Sequence, residues 1–370
     1  MIRPCVLRAS FVFVVFLFMQ GRRGNTTNTK EAQRARRLYK AHILLFLLLT
    51  TAIAYAQSTA GITNVRDTSY TTLAAYNSIH KAYPYAKAAE EFHSSSIKEK
   101  KSIVYGKAGK RKLLLDAFYP SNKKQRNGIA VVIIHGGGWR SGNRTQHYPL
   151  AQRLAFLGYV CFTPEYRLST EALYPAAVYD LKASLRWLHA NAKKYGVDTS
   201  KIVVAGFSAG GQLAALVGTT NGDASFESEA SEKKQSSRVG AIVDLDGTLS
   251  FVHSESGEGD DSKKTSAATY WFGYSKKENL KLWEAASPLT HVSKATPPTL
   301  FINSGVARMH AGRDDFMKAL KDANVYVDVK TFADAPHHFP LFEPWFTTMV
   351  DKIDEFLKRN FLHMTINEVW

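Results

Sequence analysis

Lys201-Ile-Val-Val-Ala-Gly-Phe-Ser208-Ala-Gly-Gly-Gln-Leu-Ala-Ala-Leu-Val217 changes character halfway along. Lys201–Ala205 ends in a continuous β-branched and apolar run, the pattern of a strand buried on both faces. Ala209–Val217 is small and apolar, suited to a helix packed close to a sheet. Between them stands Gly206-Phe207-Ser208-Ala209-Gly210, a serine on a sharp strand-to-helix turn. Such a turn brings helix and strand so close that only glycine fits on either side, and Gly211 leaves further room. A purely structural tight turn is the competing reading. The strand in front and the helix behind favour Ser208 as a nucleophile.

The same alternation extends in both directions. Ser102–Tyr105 and Lys112–Tyr119 read as strands around a turn at Gly106–Gly109. Strands are predicted at Ile129–Ile134, Tyr159–Phe162, Ala241–Leu245, Thr299–Ile302 and Tyr326–Thr331. Helices are predicted at Tyr148–Leu157, Ala176–Lys194 and Trp345–Phe361. In the long helix Leu181, Leu185, Leu188 and Ala192 recur at spacings of three and four. Short buried strands separated by such helices predict an α/β fold, a mostly parallel central sheet with helices on both faces. Ligands of such sheets bind beyond the carboxyl ends of the strands. Two stretches break the rhythm. Thr220–Arg238 is polar and reads as a surface loop. Phe251–Pro288 is a longer insertion whose aromatic cluster Tyr270–Tyr274 either covers a pocket or forms an ordinary buried subcore.

His135-Gly136-Gly137-Gly138-Trp139 follows the strand Ile129–Ile134. Three glycines free the backbone to aim N–H groups at a developing oxyanion. The candidates are Gly137 and Gly138, with Ala209 as a third donor just after the nucleophile. His135 reads as structural, ordering the loop by hydrogen bonds. A phosphate loop would need Gly-Lys-Ser/Thr here, which Trp139-Arg140-Ser141 does not supply.

His135–Trp139, Glu165–Leu168, Tyr174–Asp180 and Gly206–Gly211 together resemble the hormone-sensitive-lipase-like branch of the α/β-hydrolases. The tail Ala335-Pro-His-His-Phe339 followed by Leu341–Trp345 is similar to that of bacterial polysaccharide (xylan or pectin) acetyl esterases. The resemblance covers roughly residues 100–362 and implies a serine esterase. His337 and His338 both follow the last strand, where the general base belongs. The histidine after Ala-Pro in the family pattern is His337. The acid departs from that pattern. The usual place, a few residues past Thr299–Ile302, holds Ala307 or Arg308. Asp314 lies further on, at a helix start where a carboxylate also serves as a cap. Asp246 ends the preceding strand, a position from which some α/β-hydrolases draw their acid. Both remain candidates. His310 reads as a loop or pocket residue.

Composition bounds the rest. The net charge is +16 over 370 residues, but residues 1–56 carry nine basic side chains and one acidic one, leaving +8 beyond them. The remaining basic residues are scattered, which argues against a nucleic-acid groove. Arg34–Lys40, the apolar Ile43–Ala54 and Ala54-Tyr-Ala56 predict an export signal cleaved near Ala56 rather than a retained anchor. The expected location is secreted or periplasmic. The domain reading is a signal region at 1–56 with an upstream extension, an N-terminal extension at 57–100, and a catalytic domain at 101–370. No chemistry is read in 57–100. No metal or cofactor is expected, although His310 and Asp314 stand four apart. With only Cys5 and Cys161, no disulfide is expected after processing. The expected substrate is a small ester, preferably an acetylated glycan. Feruloyl esters, general carboxylic esters, formamides and peptides are the alternatives.

Overall fold

The computed structural model describes residues 57–227 and 235–362. The predicted export signal lies outside the described residues. The strands are β1 (Lys87–Ala88), β2 (Ile97–Ala108), β3 (Arg111–Pro120), β4 (Ala130–Ile134), β5 (Val160–Pro164), β6 (Ile202–Phe207), β7 (Ala241–Leu245), β8 (Thr299–Ser304), β9 (Val327–Phe332) and β10 (Phe342–Glu343). Eight of them form one sheet in the order β2-β3-β5-β4-β6-β7-β8-β9. β3 runs antiparallel to both of its neighbours, and every pair from β5 to β9 is parallel.

Each central strand feeds two cores. Val132 and Ile134 of β4 join Leu181, Leu185 and Leu213 on one face of the sheet. Val131 and Ile133 join Leu150, Leu154, Met349 and Ile353 on the other. Successive side chains of a strand point to opposite faces, so a strand buried on both faces must be apolar throughout. That requirement is why β4, β6 and β7 are legible as uninterrupted runs.

The hairpin is longer than its sequence suggests. β2 extends back to Ile97 through the exposed residues Lys98–Lys101, and the chain turns at Gly109, with φ of +59°. A sheet edge tolerates a charged strand, and charge there discourages pairing with another chain. Register shifts interrupt the β2–β3 pairing on either side of Ile103 and Val104.

The insertion 251–288 resolves into a buried aromatic subcore. Phe251, Trp271, Phe272 and Trp283 are all fully buried. Their rings pack 4.4–6.2 Å apart. Residues 57–96 lie against the body of the molecule. Helix Thr72–Ile79 buries Ala75 and Ile79, and β1 pairs with β10. Among the described residues no helix is long and apolar enough to cross a membrane.

Candidate active site

The turn after β6 is built by close approach. A Cβ on Gly206 would sit 2.1 Å from the Gly210 carbonyl oxygen, and one on Gly210 would sit 2.2 Å from that of Ile134. Any side chain there would push helix Ala209–Thr219 off the sheet. Ser208 between them has φ of +57° and ψ of −121°, a conformation that non-glycine residues rarely hold. Its N–H donates to Leu245 O at 2.9 Å, so the strained residue is tied to the neighbouring strand.

His337 lies in the loop after β9, its ring 4.9 Å from that of Phe207. Its Nε2 is 2.9 Å from Ser208 Oγ, and its Nδ1 is 2.8 Å from Asp246 Oδ2. Asp246 directly follows β7 with φ of +57°, and its own N–H donates to Ile302 O. The Asp246 carboxylate is fully buried yet accepts four hydrogen bonds. Oδ1 takes Ser304 N–H at 3.1 Å and His310 Nδ1–H at 2.9 Å. Oδ2 takes Ser304 Oγ–H at 2.6 Å besides His337. Burial alone would push this carboxyl up. The bonds from His310, His337 and Ser304, together with the His337 charge, outweigh it and hold the group well below the ordinary carboxylate range. Asp244, two residues earlier, behaves in the opposite way. Burial, reinforced by the Asp246 charge, raises its pKa well above the usual value, so it favours the neutral acid.

The structure does not bring Asp314 to this site. It stands exposed in the first turn of helix Arg313–Asp322 and pairs with Arg313 at 2.8 Å. Gly312, with φ of +83°, turns the chain outward before it, which leaves the carboxylate facing the helix N-terminus and solvent. His338 does not bond Ser208. Burial lowers its pKa to about 4, so it is neutral beside His337.

The glycine loop faces Ser208 from the end of β4. Gly137 has φ of +121° and Gly138 of +59°, and a Cβ on Gly137 would lie 2.1 Å from Ser141 O. Among the described residues the N–H groups of Gly137, Gly138 and Ala209 donate no hydrogen bond, and all three residues line the cavity around Ser208. His135 orders the loop from beneath. Its Nδ1–H donates to Gly136 O at 2.9 Å, and its ring stacks on Tyr166 at 4.4 Å. Burial and the nearby Arg66 lower its pKa to about 3. Trp139 extends the loop into the aromatic subcore, stacked on Trp271 at 5.0 Å with its indole N–H on Gln212.

The cavity is about 530 Å³. Its walls include Asp67, Tyr70, Arg140, Glu258 and Met309, and sequence reasoning found none of these. Asp67 accepts from Ser141 Oγ at 3.1 Å, and Tyr70 N–H donates to the same hydroxyl at 2.9 Å. The N-terminal segment is thereby stitched to the glycine loop. A wider cleft of about 1010 Å³ lies between the hairpin and helix Ala176–Tyr195 and includes no member of the Ser208 cluster. Ser304 was missed, and His310, read as a loop or pocket residue, was not recognised as a partner of the acid. One signal could have pointed to them. The loop after β8 lacks a carboxylate in the usual place, while a carboxylate ends the strand beside it and must find donors.

Among curated proteins, esterase LipC of Mycobacterium tuberculosis is 29% identical over 51% of this chain and 47% of its own length. The chain spans about half the length of the curated relatives it matches. Among solved structures, apo esterase 2 of Thermogutta terrifontis aligns with a TM-score of 0.59 and 26% identity, over 72% of this chain and 96% of that one. A bifunctional GH43-CE protein of Bacteroides eggerthii aligns with a TM-score of 0.60 and 26% identity, over 71% of this chain and 38% of that one. These relatives agree with the hormone-sensitive-lipase-like character of the motifs. The BD-FAE family profile matches residues 115–307, more than half of the chain and the whole of β6 and β7, which lead to Ser208 and Asp246. The chain therefore has the α/β-hydrolase fold and belongs to the BD-FAE family.

Proposed function

We propose that this protein is a serine carboxylic-ester hydrolase that removes acetyl groups from glycans or their oligosaccharides. One observation carries the reading. Ser208 heads an unbroken hydrogen-bonded line through His337 to Asp246 and shares its cavity with three backbone N–H groups that, among the described residues, donate to nothing. In this reading His337 Nε2 takes the Ser208 proton as Oγ attacks the acyl carbonyl carbon. The carbonyl oxygen becomes an oxyanion held by N–H groups of Gly137, Gly138 and Ala209. As the intermediate collapses, the C–O bond to the alcohol breaks, and His337 returns its proton to the leaving oxygen. Water, deprotonated by His337, then releases the carboxylic acid from Ser208. Asp246 holds the imidazole tautomer and stabilises its charged form. The chemistry calls for no metal or cofactor.

Several observations support a short acyl group on a hydroxylated alcohol. Asp67, Arg140 and Glu258 set a few polar groups into otherwise largely apolar walls, an arrangement suited to a small acyl group on a hydroxylated alcohol. The Thermogutta esterase has structures with propionate and with butyrate bound. The Bacteroides protein is described as a GH43-CE fusion. The exported location and a small-ester or acetylated-glycan partner, rather than nucleic acid, belong to the same reading.

The test compares acetate release from acetylated xylan or pectin fragments with fatty-acid release from long-chain esters. Short acyl groups are expected to win on kcat/KM, and Ser208→Ala to lose nearly all turnover, on the order of 10⁵–10⁶. A preference for long chains would overturn the substrate reading. A folded Ser208→Ala variant with near-normal turnover would overturn the mechanism.

A further inference from the structure

Asp246 bears two imidazoles, and the mechanism above uses only His337. His310 is buried at 7% exposure and donates Nδ1–H to Oδ1 at 2.9 Å, close to the 2.8 Å bond that His337 makes to Oδ2. Because the acceptor is a carboxylate, the His310 tautomer is fixed with its proton on Nδ1. The backbone around His310 is clamped. Leu249 and Ser250 both donate to Ala311 O at 3.0 Å, and Gly312 packs on Ser250. The loop after β8 supplies donors to an acid arriving from β7.

We propose that His310 is a positioning residue that holds the triad carboxylate from its second oxygen and moderates its pull on His337. The inference rests on the reading of Ser208, His337 and Asp246 as a triad. Four hydrogen bonds share one negative charge, so each donor feels less of it. Removing His310 leaves Oδ1 with Ser304 N–H alone. The carboxylate then turns more freely and concentrates its charge on His337. Charge gathered on Oδ2 favours the charged imidazole of His337 over the neutral one that the attack needs. The surroundings leave this effect intact. From β7, Asp244 favours its neutral form. From the base loop, His338 is neutral above about pH 4. From the insertion, Glu258 acts on His337 from outside the carboxylate.

The test is a pH profile of kcat/KM on a small acetyl ester for wild type, His310→Ala and His310→Asn. Asparagine places an amide N–H near the position of Nδ1. For His310→Ala the acid limb is expected to move up by about half a pH unit or more, with kcat down about tenfold and KM little changed. His310→Asn is expected to restore both largely. An unmoved limb with kcat within about twofold of wild type would overturn the proposal. So would equal losses in both variants with no shift of the limb. If His310→Ala does not fold, proton NMR of the wild-type protein decides. Two imidazole N–H resonances far downfield of the amides are expected, and a single one, from His337, would overturn the proposal. Loss of activity in Ser208→Ala but no response to His310 would spare the triad reading and sink this one. A fully active Ser208→Ala would sink both.

Discussion

Two loops face each other across Ser208, and they are fixed by different means. The glycine loop 135–142 is held by backbone geometry. Its positive φ angles and the Trp139–Trp271 stack set the path of the backbone, and single side-chain bonds through His135, Gln146 and Ser141 tie it down. The acid side, Asp246 with 304–310, is held by charge. Four donors converge on one carboxylate, and strand registry brings those donors together. Donors placed by backbone geometry must be ready before charge develops, so they suit an oxyanion. A charge-assisted cluster adjusts its strength to its partners and suits a base that gains and loses a proton.

Breaking the acid side should cost most. Asp246→Asn is expected to remain folded and to lose about 10³–10⁴ in turnover, because the amide presents a donor to His337 and favours the wrong tautomer. Asp314→Asn is expected to keep most activity and to lose no more than about 1 kcal/mol of stability. Steady-state kinetics on the two folded variants decides, and the reverse ranking would return the acid role to Asp314. On the glycine side, Gly137→Ala forces a Cβ into Ser141 O. A fall of about 10²–10³ in kcat is expected, with a smaller change in KM. An unchanged kcat would show that the loop contributes no oxyanion donor.

Acid should separate the two sides without mutation. His135 beneath the glycine loop, and His147 near it, are buried and neutral, with pKa values of about 3 against 6.5 for a free imidazole. Below pH 6.5 the unfolded chain binds protons that the folded chain refuses. Stability therefore falls as pH drops from 6.5 toward 3 and is flat above that window. At pH 5 each of these histidines is expected to cost about 2 kcal/mol. Asp246, whose folded pKa is depressed, contributes stability that is intact above the range where free carboxylates titrate and fades as pH falls through and below that range. Melting temperature should thus decline between pH 6.5 and 5. A flat profile there would contradict the buried neutral state of His135 and His147.

The same difference decides what could be read from sequence. Close backbone approach leaves glycines, so Gly206–Gly211 and Gly136–Gly138 were legible, as were strands buried on both faces. His337 emerged from a tail pattern. Asp246 and Asp314 could not be separated, because their difference lies in the registry of β7 against β8, which local sequence does not encode. The bond of His310 to Asp246 escaped for the same reason, although His310 itself was placed in a loop or pocket. Asp67, Tyr70 and Glu258 reach the cavity through tertiary docking of irregular segments, which carry no periodicity to read. The aromatic run Tyr270–Tyr274 fitted a pocket cover and a subcore equally, and the burial of Trp271 and Phe272 makes it mainly the latter.

The pairing of β1 with β10 sets a timetable for assembly. Lys87 lies opposite Glu343, and Tyr83 packs edge-on against Trp345, so one of the earliest described segments to be synthesised waits for one of the last. Contacts so far apart in the chain are the slowest to close. A nascent chain can stack β4 to β8 and form the turn at Ser208 while the strap carrying Asp67 and Tyr70 still lacks its distal anchor. The cavity wall is then finished only once residues 342–345 have been made, later than the sheet that carries Ser208.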